Sequence, residues 1–149
     1  MLIYISRLLL ALVLSAIIGF EREQQDKNAG LRTLMLISLG SCIFTLLPFL
    51  LLPISKQMNF TYDFSRIIAY TVAGCGFLAG IVIINNRGKV AGITTSACIW
   101  AIVGIGILCG IGEYVLAVVS AFFVYAILKL KYVKIKLEKR VKRCRRRRK

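Results

Sequence analysis

Glu21, Arg22 and Glu23 stand side by side where the first apolar run of the chain stops, and Arg32 and Thr33 follow after a turn through Asn28 and Gly30. Opposite charges at the edge of an apolar run form an ion cluster, within reach of Arg22 and Arg32, or stay solvated in a loop. Residue type alone leaves both readings open. Thr94, Thr95 and Ser96 open a later apolar run, where hydroxyls bond helix carbonyls, bond neighbouring helices or line a polar path. Asp63, three residues before Arg66, reads as a helix N-cap ahead of any catalytic role. A hydrolytic triad needs a base, and histidine, the usual one, does not occur in the sequence. Nor is there a P-loop to hydrolyse a nucleotide. The five cysteines show no C-x-x-C spacing, so neither a zinc site nor a haem attachment is expected. A magnesium carrier would place carboxylates at mid-membrane, yet all six acids fall near the ends of apolar runs or beyond them. The expectation is a chain that is not an enzyme and has no metal ligands and no cofactor.

Five apolar segments position these groups: Leu2 to Phe20, Thr33 to Pro53, Arg66 to Asn85, Ile93 to Gly110 and Glu113 to Tyr132. A helix rises about 1.5 Å per residue and the hydrocarbon core is about 30 Å thick, so each run is about long enough to span. With 58% hydrophobic residues and only two prolines, the sequence predicts an all-α integral membrane protein, a bundle of about five transmembrane helices. Two parts are expected, a transmembrane domain over 1–132 and a basic tail over 133–149.

The net charge of +15 would suit a nucleic-acid binder, but the spans account for it differently. If the tail is cytoplasmic and the N-terminus outside, 18 of the 21 basic residues lie inside: thirteen from Lys129 onward, Arg22, Lys27 and Arg32 in the first loop, and Arg87 and Lys89 in the third. That is the positive-inside bias. The tail, with Lys134, Lys136, Arg145, Arg146, Arg147 and Arg148, is expected to hold anionic lipid, each near-surface cation contributing about 1 kcal/mol. No specific nucleic acid is expected, because aromatics are sparse.

Small residues mark two helices. Gly74, Gly76 and Gly80 lie in the third segment and Gly104, Gly106 and Gly110 in the fourth, in the same G-x-G-x-x-x-G spacing. Glycines one turn apart let helix backbones approach closely, so these faces are expected to pack against other helices.

Gly19-Phe20-Glu21-Arg22-Glu23 with Ala29-Gly30-Leu31-Arg32-Thr33 resembles the signature loop of the MgtC/SapB membrane proteins. Matches follow in order at Asp63 and Arg66, at Gly74-Cys75-Gly76-Phe77-Leu78, at Val90 to Ala97 with Trp100, and at Gly104-Ile105-Gly106 with Gly110 to Tyr114. The resemblance implies a multi-pass protein of the bacterial inner membrane, linked to growth and virulence under magnesium limitation. Family members are often labelled magnesium transporters, while regulation of other membrane proteins, such as the ATP synthase, is the better supported role. Many carry a soluble C-terminal domain; here the short basic tail is expected in its place. Where the family commonly reads G-F-L-G-A-G, this chain has Gly76-Phe77-Leu78-Ala79-Gly80-Ile81. The expected activity is therefore a regulator acting through membrane-protein partners or self-association, with cation transport as the alternative.

Overall fold

The computed structural model describes residues 1–58, 63–86 and 89–147, and the side chains of 1–53, 63–83 and 90–130. Five helices account for nearly all of it: α1 (Leu2–Gln24), α2 (Leu31–Met58), α3 (Phe64–Ile81), α4 (Ile93–Ile111) and α5 (Tyr114–Arg147). The first four are long and apolar enough to cross a membrane, and α5 has a shorter apolar stretch, Tyr114–Leu130. Trp100, Phe77, Val115 and Phe122 stand exposed on the outside of the bundle, where a membrane would solvate them.

α4 is the centre. Ten of its residues are buried, from Thr95 to Gly110, and it packs against each of the other four helices. α1 and α2 form the tightest neighbouring pair, with Ala11, Ser15 and Ile18 buried on one side and Leu34, Ser38 and Ser41 on the other. The Ser38 hydroxyl donates to the Ala11 carbonyl across this contact at 3.1 Å, a bond between helices. α5 turns Ala117, Ala121 and Leu128 inward. α3 buries only Cys75 and Ala79.

Element bounds differ from expectation in four places, each for a local reason. α1 runs on through Glu21, Arg22 and Glu23, because the first two neutralise one another. α2 continues past Pro53, with Pro48 also inside it; surrounding helices tolerate prolines in membrane helices. α3 stops at Ile81, and Ile84–Asn86 (β1) then pairs antiparallel with Lys89–Ala91 (β2), so the expected inner turn is a hairpin. α5 continues through the basic residues to Arg147.

Tight closures set the helix ends. α1 ends with the Lys27 amide donating to the Arg22 carbonyl and the Asp26 amide to the Glu23 carbonyl. This is a Schellman motif with Asp26 at φ 49, a left-handed position that glycine usually fills. α4 ends in the same motif at Gly112, φ 102, where the Glu113 and Gly112 amides reach Leu108 and Cys109.

Candidate functional site

Gly19 lets the start of α2 lie directly on α1, since a Cβ there would come within 2.8 Å of the Leu31 Cα. One turn later, Glu21 and Arg22 lie in the interior between these elements. Arg22 donates from Nε and Nη2 to the two oxygens of Glu21, at 2.6 and 2.9 Å. Only 6% and 4% of the two side chains are exposed, so each charge depends on the other for solvation. Glu23 does different work. Its carboxylate accepts the Leu31 amide at 2.9 Å and so caps the N-terminus of α2. Gly30 leaves room for it: a Cβ there would lie 3.1 Å from that carboxylate oxygen.

Arg32 and Thr33 are exposed, and Arg32 forms no salt bridge among the described residues. The charge cluster is thus a two-member pair, Glu21 with Arg22, and Arg32 lies outside it.

This pair forms a wall between two cavities. Glu21 borders one of about 460 Å³, with Ala16, Ile17, Phe20, Gln24, Leu31 and Tyr125. Arg22 borders the other, about 500 Å³, with Gln25 and Lys27 from the α1 turn, Gly92, Thr94 and Thr95 from the start of α4, and Ile127 and Leu128 from α5. Thr95 is buried while Thr94 is exposed, because one residue turns a helix by about 100°. Gly92 fixes this junction at φ 89, and a Cβ there would overlap the Val82 carbonyl oxygen.

The glycines divide. Gly106 and Gly110 press α4 onto α2: a Cβ on Gly106 would overlap Ser41 Oγ and the Ser38 carbonyl, and one on Gly110 would lie 2.7 Å from the Thr45 Cβ. At Gly74, Gly76, Gly80 and Gly104 an added Cβ meets nothing within 4 Å among the described residues. These four pack against no helix among the described residues.

Asp63 caps α3. It accepts the Ser65 amide at 2.9 Å and the Ser65 hydroxyl at 2.7 Å, and those bonds hold its carboxyl below the usual aspartate range. Arg66 is exposed beside it. Residues 134, 136 and 145–147 lie on α5 with side chains outside the described set, and Arg148 lies outside it altogether. Among the described residues no group of three histidine, cysteine, aspartate or glutamate side chains could hold a metal ion.

Arg7, whose place near the outer end of the first apolar run predicts snorkelling to the headgroups, is instead held inside the bundle. Its Nη1 donates to the Gly110 carbonyl at 2.7 Å, its Nε approaches the Tyr114 hydroxyl at 3.4 Å, and its guanidinium lies 5.9 Å from the centres of the Tyr4 and Phe49 rings. It caps the C-terminal end of α4. The signal was available: a lone arginine well inside an apolar run must find an acceptor.

The family model described as the MgtC family matches residues 8–136. The chain is 40% identical to the protein MgtC of Salmonella typhimurium over 111 residues, 74% of this chain and 45% of that protein. It is 35% identical over 129 residues to the Escherichia coli protein named "Putative magnesium transporter YhiD", covering 85% and 60% of the two. A Haemophilus influenzae protein without an assigned function is 35% identical over 132 residues, 87% and 56%. The chain spans about half the length of the curated relatives it matches. No solved structure matches it significantly. The matched range spans the Glu21–Arg22 pair, the Glu23 cap and the Gly106–Gly110 contact and takes in most of the chain, and the chain belongs to the MgtC family.

Proposed function

We propose that the chain is a non-enzymatic regulator in the bacterial inner membrane, linked to magnesium limitation, that binds other membrane proteins through α3. One observation carries this. Ala69, Ala73, Gly76 and Gly80 recur at helical spacing along α3 and all four are exposed. On α4, Gly106 and Gly110 hold a neighbouring helix, whereas the α3 stripe is exposed and its glycines meet no partner among the described residues. Such a stripe admits a second helix at backbone distance. In this reading the N-terminus is outside, the tail is cytoplasmic, and Lys134, Lys136 and Arg145–Arg148 hold the tail to anionic lipid. Magnesium or other cation transport is the second reading, favoured by the name of the Escherichia coli relative and by the hydroxyls at Thr94 and Thr95.

The test is Gly76→Leu with Gly80→Leu, which fills the stripe without touching the interior. Crosslinked recovery of a membrane partner or second copy should fall about tenfold, the equivalent of about 1.4 kcal/mol, with insertion intact and melting no lower than the parent. Equal recovery from variant and parent refutes the proposal. Saturable magnesium uptake by proteoliposomes holding the purified chain alone, reduced by Thr95→Val, would put transport in its place.

A further inference from the structure

The cavity beside Arg22 has the makings of an anion site, and its features are independent of the α3 stripe. Both charged side chains that line it, Arg22 and Lys27, are cationic. The carboxylates nearby are committed elsewhere: Glu21 to Arg22, and Glu23 to the Leu31 amide, while Asp26 is exposed. Glu21 engages Nε and Nη2 of Arg22, leaving Nη1 without an acceptor among the described residues. Arg22 is 5% exposed, so this donor has only the cavity to face.

Thr95 repeats the pattern. It is 4% exposed, lines the cavity, and its hydroxyl makes no hydrogen bond among the described residues. α4 begins at the same wall. Gly92 gives it no side-chain cap, and the first of its amides with an acceptor is that of Ser96, which bonds the Gly92 carbonyl at 2.9 Å. The amides of Ile93, Thr94 and Thr95 are left as donors at the positive end of the central helix. The Lys27 amide, bonded to the Arg22 carbonyl at 3.1 Å, fixes the lysine beside the arginine.

We propose that this cavity binds a phosphate group, carried by a lipid headgroup or free. Three kinds of donor converge there: a buried guanidinium, a buried hydroxyl and an uncapped helix N-terminus, the arrangement that suits a tetrahedral oxyanion. Ile93, Ile127 and Leu128 supply apolar walls next to the polar ones. A volume of about 500 Å³ leaves room for more than the phosphate itself.

The experiment uses the full chain in neutral detergent micelles, following its melting while titrating either dioctanoyl phosphatidylglycerol or inorganic phosphate. The parent should be stabilised saturably by at least one. Thr95→Val and Lys27→Gln should each weaken that binding about fivefold, the loss of roughly one hydrogen bond or charge contact. Replacing Arg145–Arg148 by serine should leave it unchanged. Thr95→Val should melt no lower than the parent without ligand, because its hydroxyl has no partner among the described residues. Response to phosphatidylglycerol alone assigns the headgroup, and response to inorganic phosphate assigns the free anion. Absence of a shift with both probes, or binding that ignores both substitutions, overturns the site.

Discussion

Replacing Gly106 by alanine adds one methyl group at the point where α4 lies on α2. The methyl would overlap Ser41 Oγ and the Ser38 carbonyl oxygen. The carbonyl belongs to helix backbone and cannot turn away. Ser41 can rotate, but its hydroxyl donates to that same carbonyl at 3.0 Å and would lose the bond. Overpacking of this kind costs about 1–3 kcal/mol, and a hydrogen bond within a membrane bundle contributes about 0.6 kcal/mol. Against this, alanine is favoured over glycine inside a helix by about 1 kcal/mol. The net expectation is a loss of roughly 0.5–2.5 kcal/mol. Gly104→Ala, two residues away on an open face, has only the favourable term and should gain about 1 kcal/mol. The assay is unfolding in mixed micelles of rising anionic detergent, read by helical circular dichroism and by Trp100, the one tryptophan. Ser41→Ala in the Gly106→Ala background removes one of the two clashes and should recover part of the loss. If Gly106→Ala proves as stable as Gly104→Ala, the close approach of α2 and α4 is refuted.

Three further outcomes are expected. Glu21→Ala leaves a buried arginine without its counter-charge and should cost about 3–5 kcal/mol in the same unfolding assay, whereas Glu21→Ala with Arg22→Met should restore most of it; a single variant as stable as the double would contradict the pair. Asp26→Gly relieves a left-handed residue at the end of α1 and should stabilise the chain by about 1 kcal/mol, a gain that vanishes if Asp26 is not at positive φ. Asp63 has its carboxyl held below the ordinary 3.8 by the bonds from Ser65, so the folded state binds fewer protons there than the unfolded state. Its cap is fully present above 3.8 and is lost as pH falls through the depressed value; amide exchange at Ser65 should rise only in that acid range, and Asp63→Asn should abolish the dependence.

The apolar runs made the five helices legible, because length and continuous hydrophobicity are one-dimensional properties. Their ends were harder. Charge alone leaves Glu21-Arg22-Glu23 either an ion cluster or a solvated loop, and bidentate pairing takes the first two into the interior on α1. Pro53 reads as a stop, and α2 continues past it. The paired glycine patterns show the same boundary most clearly. Spacing says that Gly74, Gly76 and Gly80 repeat the pattern of Gly104, Gly106 and Gly110, but not what stands opposite. Only Gly106 and Gly110 meet a helix, because only their face turns to Ser38, Ser41 and Thr45. In the same way, Thr94 and Thr95 are equivalent as residue types, and the rotation of α4 alone buries one and exposes the other.

Two arginines on α1 explain why the bundle has a fixed part and a free one. Arg7 holds the C-terminal end of α4 through the Gly110 carbonyl, while Arg22 and its partner Glu21 lie against the N-terminal end of the same helix beside Thr95. α4 is thereby tied to α1 at its C-terminal end and to α2 along its glycine face. To slide, it would have to break that charged cap and unpack the glycine contact, so α1, α2 and α4 should move as one body. α3 has no such ties. It buries two side chains, packs on α4, meets α2 through the edge-to-face contact of Phe49 with Phe64, and is followed by a hairpin and the left-handed Gly92. A partner helix that seats on Ala69, Ala73, Gly76 and Gly80 would therefore meet the element of this chain that can shift at least cost. Because Val90 and Gly92 line the Arg22 cavity, any displacement of the α3 end would be felt there first.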